Sequence, residues 1–167
     1  DYEANLAVLE PTNNDAFLAD REPFLIDEKI SPSDQLEAWQ FESNGTPVTT
    51  KITVSKAEVR QSFLDTSKFL QIQANGPVQY RAGSFTLPVA KDNKLAGLLV
   101  SYSSKDQISS ILPASIIKHF LSDIEDGDYK GFPNLGIMYS QTLDEQFRDY
   151  LKLPKNEGGV FVSKVVE

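Results

Sequence analysis

Up to about residue 112 the apolar residues of this chain fall in strand-length runs, and beyond Pro113 they recur at helical spacing. That change of period limits the fold more than any other feature of the sequence. Alternation is visible in QLEAWQF (35–41) and again in VTTKITVSKAEV (48–59), where Val48, Ile52, Val54 and Val59 mark strand-like segments that do not keep one strict register. Further strands are expected at FLQIQA (69–74), KLAGLLVSY (94–102) and QISSIL (107–112), and an apolar strand pattern is already under way by Leu6. Turn-forming clusters separate these runs: SNGTP (43–47), NGP (75–77) and KDNK (91–94). Short strands at this spacing point to a mainly β protein, an antiparallel barrel or sandwich. In PASIIKHFLSDIEDG (113–127), Ile116, Ile117, Phe120, Leu121 and Ile124 lie on one helical face, with Pro113 suited to the first turn and Gly127 to the stop. A short helix follows in TLDEQFRDYLKLP, where Thr142 and Glu145 have the spacing of a capping box, and it should end before Pro154. GVFVSKVV (159–166) reads as a last strand.

With 167 residues and 40% hydrophobic content, the chain can bury one sizeable core, or one core and part of a second. One main domain is expected. Asp and Glu total 24 against 16 Lys and Arg, a net charge of -8, so nucleic acid and anionic membrane surfaces would be repelled. There is no cysteine, hence no disulfide, thiolate nucleophile or Cys-ligated zinc, and a single histidine, His119. No apolar run approaches the ~18 residues of a bilayer span, so membrane insertion is not expected, and no signal-peptide pattern opens the chain. Both ends, DYEANLAVLEP and GGVFVSKVVE, read as cut from a longer chain.

Chemistry-bearing motifs are few. RAGSFTLP (81–88) holds Ser84 beside a glycine, which suits either the nucleophile loop of a hydrolase or a plain turn. His119 reads as a partly exposed helix histidine. Asp123, Glu125, Asp126 and Asp128 in SDIEDGDY lack the ligand spacing of an EF-hand and read as a solvated connection, so no metal site is expected. The absence of a phosphate loop and of a dinucleotide fingerprint leaves no cofactor to expect. Trp39, Phe41, Phe63 and Phe69 occupy strand settings, where core packing accounts for them.

ILPASIIKHFLSD, followed by GDYKGFPNLGI and later by GGVFVSKVV, resembles the junction in Deg/HtrA-type serine proteases where the trypsin-like domain passes through a helix into a PDZ domain. NLAVL (5–9) resembles the family's Asp-Leu-Ala-x-Leu strand, QIQAN (71–75) the strand leading to its Gly-Asn-Ser-Gly-Gly-Pro loop, and KLAGLLVSY the strand after that loop. The resemblance covers nearly the whole chain. It implies that residues 1–112 are mostly the second barrel of a chymotrypsin/trypsin-like fold, 113–130 a linker helix and acidic connection, and 131–167 the N-terminal part of a PDZ domain.

The same resemblance places the catalytic positions. Asn5 stands at the triad aspartate, where an amide carries no charge to stabilise an imidazolium, and the corresponding change in the Ser-His-Asp triad costs about 10⁴ in turnover. The general-base histidine would precede residue 1, and His119 does not replace it. Anchored on the serine, Ser84 takes the nucleophile position; anchored on Pro88, Phe85 does. The two glycines that should follow are then Phe85 and Thr86, or Thr86 and Leu87, too bulky for the tight turn of an oxyanion hole. Leu135, Gly136 and Ile137 match the apolar-Gly-apolar loop by which PDZ domains hold the C-terminal carboxylate of a polypeptide or protein, although an ordinary strand start has the same pattern. The expected function is that of a Deg/HtrA-like pseudoprotease with a scaffolding or peptide-binding role; the alternative is an active ATP-independent serine endopeptidase of protein quality control. Family resemblance further implies homo-trimers or larger assemblies, and a periplasmic or otherwise extracytoplasmic location in bacterial relatives against organelles in plant ones.

Overall fold

The structure is a computed structural model, and it describes residues 1, 3–12, 14–61, 68–79, 86–125, 127–154 and 157–165. Contacts divide the chain into two units, Asp1–Gly131 and Phe132–Glu167.

The first unit contains a short helix α1 (Asn14–Leu18), six strands, β1 (Gln35–Phe41), β2 (Pro47–Gln61), β3 (Lys68–Asn75), β4 (Leu87–Lys91), β5 (Lys94–Ser103) and β6 (Ile108–Pro113), and helix α2 (Ala114–Glu125). All six strands pair antiparallel in the order β1-β2-β3-β6-β5-β4, and β4 returns to β1 through Glu37↔Ala90 and Ala38↔Val89, closing a barrel. Period-two alternation is what makes this possible, because it sends every second side chain inward. Leu36 and Ala38 of β1, Ile52 and Val54 of β2, Ile72 and Ala74 of β3, Val89 of β4, Ala96 and Leu99 of β5 and Ile111 of β6 fill the interior. Burying each Leu or Ile here is worth roughly 1.5–3 kcal/mol.

The irregular register of 48–59 has a local cause. A bulge between Val54 and Lys56 inserts Ser55 into β2, so the alternation of side chains between the two faces changes phase after Val54. Gly97 is the second local requirement. A Cβ built there would lie 2.3 Å from Leu112 O and 2.8 Å from Ile111 Cγ2, so only glycine lets β5 approach β6.

Several expectations are corrected. Residues 5–9 form no strand: Val8 and Leu9 are 54% and 89% exposed, and a strand pattern with no partner to bury its apolar face does not pair. The stretch before β1 is instead tied down by the isolated Ile26↔Leu95 bridge and by hydrogen bonds of Asp27 N to Leu95 O and Leu95 N to Leu25 O. β4 is a strand in its own right, with Leu87, Val89 and Ala90 buried, where the sequence pattern suggests no strand. Phe41 is 70% exposed and belongs to no core, while Phe69 is buried; Phe63 lies outside the described residues.

Helix α2 begins at Ala114, with Pro113 closing β6 immediately before it. Ile117 and Phe120 are buried, and Gly127, at φ 76, ends the helix by donating its N–H to Ile124 O.

The second unit is a two-stranded antiparallel sheet, β7 (Ile137–Gln141) with β8 (Val160–Val165), and helix α3 (Glu145–Tyr150) in the connection. The helix is capped by Asp144, whose Oδ1 accepts from Phe147 N at 2.8 Å, and not by Thr142. Thr142 is buried and donates its hydroxyl to Gly159 O at 2.8 Å, which closes the connection onto β8. Phe147 meets Phe161 edge-to-face at 5.5 Å, which sets α3 against β8.

Candidate functional site

The sequence-assigned positions lie in three places. Asn5 sits in a turn ahead of the barrel, exposed, with φ 55. The turn is built by Asp1, whose Oδ1 accepts from Ala4 N at 2.6 Å and whose carbonyl accepts from Leu6 N. Asparagine is among the residues that tolerate this left-handed backbone. The side chain carries no proton-accepting charge at any accessible pH, so it cannot stabilise an imidazolium.

Ser84 and Phe85, the two candidates for the nucleophile position, lie outside the described residues. The loop's exit is described. Thr86 has φ 68, a left-handed conformation for a β-branched residue, immediately before the buried Leu87 opens β4. In both registers Thr86 stands where the resemblance puts a glycine, and the backbone at this position is one that glycine would adopt without cost. At the end of β3, Gly76 N donates to Gln107 O and Val78 N to the Tyr102 hydroxyl at 3.2 Å, which joins the segment after β3 to β5 and the β5–β6 turn.

His119 is exposed on α2, and its Nε2 lies 3.2 Å from Gly131 O. A carbonyl only accepts, so the ring is held with Nε2 as the donor. Of the acidic run, Asp123 is not solvated: it is 8% exposed and its Oδ2 accepts from Lys130 N at 2.8 Å and Gly131 N at 2.7 Å. Its role is to fold the chain back after the helix. Tyr129 packs edge-to-face on Phe120 and donates its hydroxyl to the Asp1 carboxylate. Burial, with the charges of Asp123 and Glu3, holds the Tyr129 phenol above its ordinary pKa. Among the described residues, no three His, Asp or Glu side chains gather as a metal site would require.

In the second unit Leu135 is 78% exposed, Gly136 has φ 63, and Ile137 is half-buried as the first residue of β7. The Gly136 N–H donates to Asn134 Oδ1 at 2.8 Å. Such an Asx turn fixes the backbone of the loop and occupies the amide that the sequence pattern offers to a carboxylate. Asn134 is therefore part of this candidate site, and sequence reasoning missed its role although an Asn two residues before a Gly signals an Asx turn.

The barrel with its following helix defines a class, the trypsin-like protease fold. The solved HtrA-type protease AlgW with a decapeptide superposes with a TM-score of 0.61 and 16% identity, over 86% of this chain and 45% of that one. The Rv3671c protease of M. tuberculosis in its active form gives 0.51 and 10%, over 70% and 52%. At such identities these likenesses establish the fold alone.

Sequence relatives carry the rest. Protease Do-like 4, mitochondrial, of Arabidopsis thaliana is 29% identical over 167 residues, 98% of this chain and 32% of its own length. Protease Do-like 2, chloroplastic, of the same plant is 31% identical over 121 residues, 70% of this chain and 19% of its own. The serine protease DegP homolog of Plasmodium falciparum is 31% identical over 124 residues, 68% and 14%. The chain is homologous to Deg/HtrA-type serine proteases. It spans about a third or less of the length of these relatives. No protein-family model matches it. No helix among the described residues is long and apolar enough to cross a membrane.

Proposed function

We propose that this chain is part of a Deg/HtrA-like pseudoprotease: a trypsin-like barrel without working peptidase chemistry, joined to the opening of a peptide-binding PDZ domain. The observation that carries the reading is Asn5, exposed in a left-handed turn at the position the resemblance gives to the triad carboxylate. A histidine oriented by an amide has no anion to offset its protonation, whatever precedes residue 1. Ser84, the nucleophile candidate, is read as a turn serine. Thr86 adds support, because a β-branched residue stands where the resemblance puts one of the small glycines of an oxyanion hole.

Residues 1–112 correspond in this reading to the barrel region, 113–130 to the connection and 131–167 to the beginning of the PDZ domain. Leu135, Gly136 and Ile137 form its carboxylate loop when a bound carboxylate displaces Asn134 Oδ1 from the Gly136 amide, and the partner is a polypeptide or protein C-terminus. The decapeptide bound by AlgW is consistent with such a partner. Homo-trimers follow from the family analogy alone. The mitochondrial and chloroplastic relatives favour an organelle, and the bacterial analogy an extracytoplasmic space.

A second reading, an ATP-independent serine endopeptidase, is favoured by one specific feature: the Thr86 backbone keeps the glycine-like φ of 68 at the loop's exit. A fluorophosphonate probe on the full-length protein separates the two. The pseudoprotease is not labelled and still binds peptides with free C-termini more tightly than their amidated forms. Labelling that vanishes in Ser84→Ala overturns it.

A further inference from the structure

The second half of β2 has one neighbour where the first half has two. β1 pairs with β2 only from Phe41↔Pro47 to Gln35↔Thr53, and Ser33 and Asp34 then bond Val54. From Lys56 onward, among the described residues, β3 is the strand hydrogen-bonded to β2, through Lys56↔Gln73 to Gln61↔Lys68. Lys56, Ala57, Val59 and Arg60 are exposed, and among the described residues no strand pairs with the outer edge of Lys56–Arg60, the arrangement that accepts another strand.

The side chains along that edge alternate. Lys56, Glu58 and Arg60 share one face, with Lys56 Nζ 2.8 Å and Arg60 Nε 2.9 Å from the Glu58 carboxylate. On the opposite face Val59 is 62% exposed and sits across from Leu70, itself 40% exposed. Proteins commonly blunt an open edge with charge of one sign. Here the signs alternate, and the edge is self-complementary in one register.

We infer that this edge pairs antiparallel with the same edge of a second copy, about a two-fold axis through Val59. In that register Glu58 faces the second copy's Arg60 and Arg60 faces its Glu58. On the other face Leu70, Val59 and their two counterparts form one apolar row across a four-stranded sheet ordered β3-β2-β2-β3. The registers centred on Glu58 and on Ala57 are excluded. Centring on Glu58 opposes the two glutamates and sets Lys56 against Arg60. Centring on Ala57 requires Val54, whose N–H and C=O are already bonded to Asp34 and Ser33.

The chain has no cysteine, so Val59→Cys supplies a single thiol on the axis, where directly opposed residues are within disulfide reach. Under mild oxidation V59C is expected to form a covalent dimer much faster than Leu143→Cys, an equally lone thiol at a position 80% exposed in the other unit. In sedimentation velocity, Glu58→Arg and Arg60→Glu should each weaken dimerisation about tenfold by opposing like charges, and the double exchange E58R/R60E should restore it. Circular dichroism of each variant checks that the barrel is intact. The inference is overturned if the chain stays monomeric with V59C no faster than L143C, if dimers form equally in E58R and R60E, or if the double exchange does not rescue.

Discussion

Lys91 Nζ lies 2.7 Å from Asp34 Oδ2, joining β4 to the segment that leads into β1. The same carboxylate oxygen accepts from Ser31 N at 2.8 Å, and the ammonium also donates to Lys29 O. The hydrogen bond from Lys91, then that from Ser31, hold the Asp34 carboxyl below its ordinary value of 3.8, against an opposing push from burial. The same bond to Asp34 raises Lys91 above 10.5. A depressed carboxyl stabilises the fold above its unfolded pKa and loses that contribution as pH falls through the folded value. A raised ammonium stabilises below its unfolded pKa and loses the contribution as pH rises through the folded one. Asp34→Asn is expected to lower the urea midpoint at neutral pH and to flatten the acid limb of stability below about pH 4. An acid limb unchanged from wild type would show that the pair does not couple to folding.

Gly97→Ala tests the β5–β6 contact. The added methyl would stand 2.3 Å from Leu112 O, a backbone atom fixed in the barrel wall, so the strands must part. Destabilisation of at least 1–3 kcal/mol is expected, the usual cost of overpacking a filled core. It would be read as a lower midpoint in denaturant unfolding with no change in slope. As a contrast, Gly158→Ala meets no atom within 4 Å and should leave the midpoint almost unmoved.

Most barrel strands were legible because the signal is local: β1, β3, β5 and β6 each carry inward-facing apolar residues bounded by turn residues. β4 was hidden because LPVAK is five residues long and includes a proline, and what makes it a strand is pairing with β1 and β5, which no local pattern encodes. The reverse error occurred at NLAVL, which has a strand's composition but no neighbour to bury Leu9. The Thr142 cap failed for a similar reason, since Gly159, far along the chain, takes its hydroxyl. At the candidate site, identity was readable and geometry was not. That Asn5 is an amide follows from sequence; that it occupies a left-handed turn, or that Asn134 holds the Gly136 amide, depends on backbone angles.

Thr86→Gly should stabilise the first unit. A β-branched residue at φ 68 carries strain of about 1–3 kcal/mol, whereas glycine's extra entropy in the unfolded chain costs roughly 0.5–1 kcal/mol. The expected balance is a gain of up to about 2 kcal/mol. Equilibrium unfolding measures it, and a loss of stability would mean that contacts of the threonine side chain outweigh the relief of its backbone.

Arg148 tests what orders the connection between α3 and β8. Its guanidinium donates to three carbonyls, Thr142 O at 3.0 Å, Pro154 O at 2.5 Å and Glu157 O at 2.6 Å, one before α3 and two after it. A planar fork with five donors can serve three acceptors at once without rearranging; an ammonium on a flexible stem cannot. Arg148→Lys keeps the charge and so separates fork geometry from electrostatics. Faster amide hydrogen exchange is expected at Thr142–Leu143 and from Leu151 to Gly159, with the barrel strands unchanged, and Arg148→Ala should add little further. If lysine preserved the protection, charge rather than the fork would hold the segment, and the carbonyl cluster would be satisfied equally well by a single donor and water.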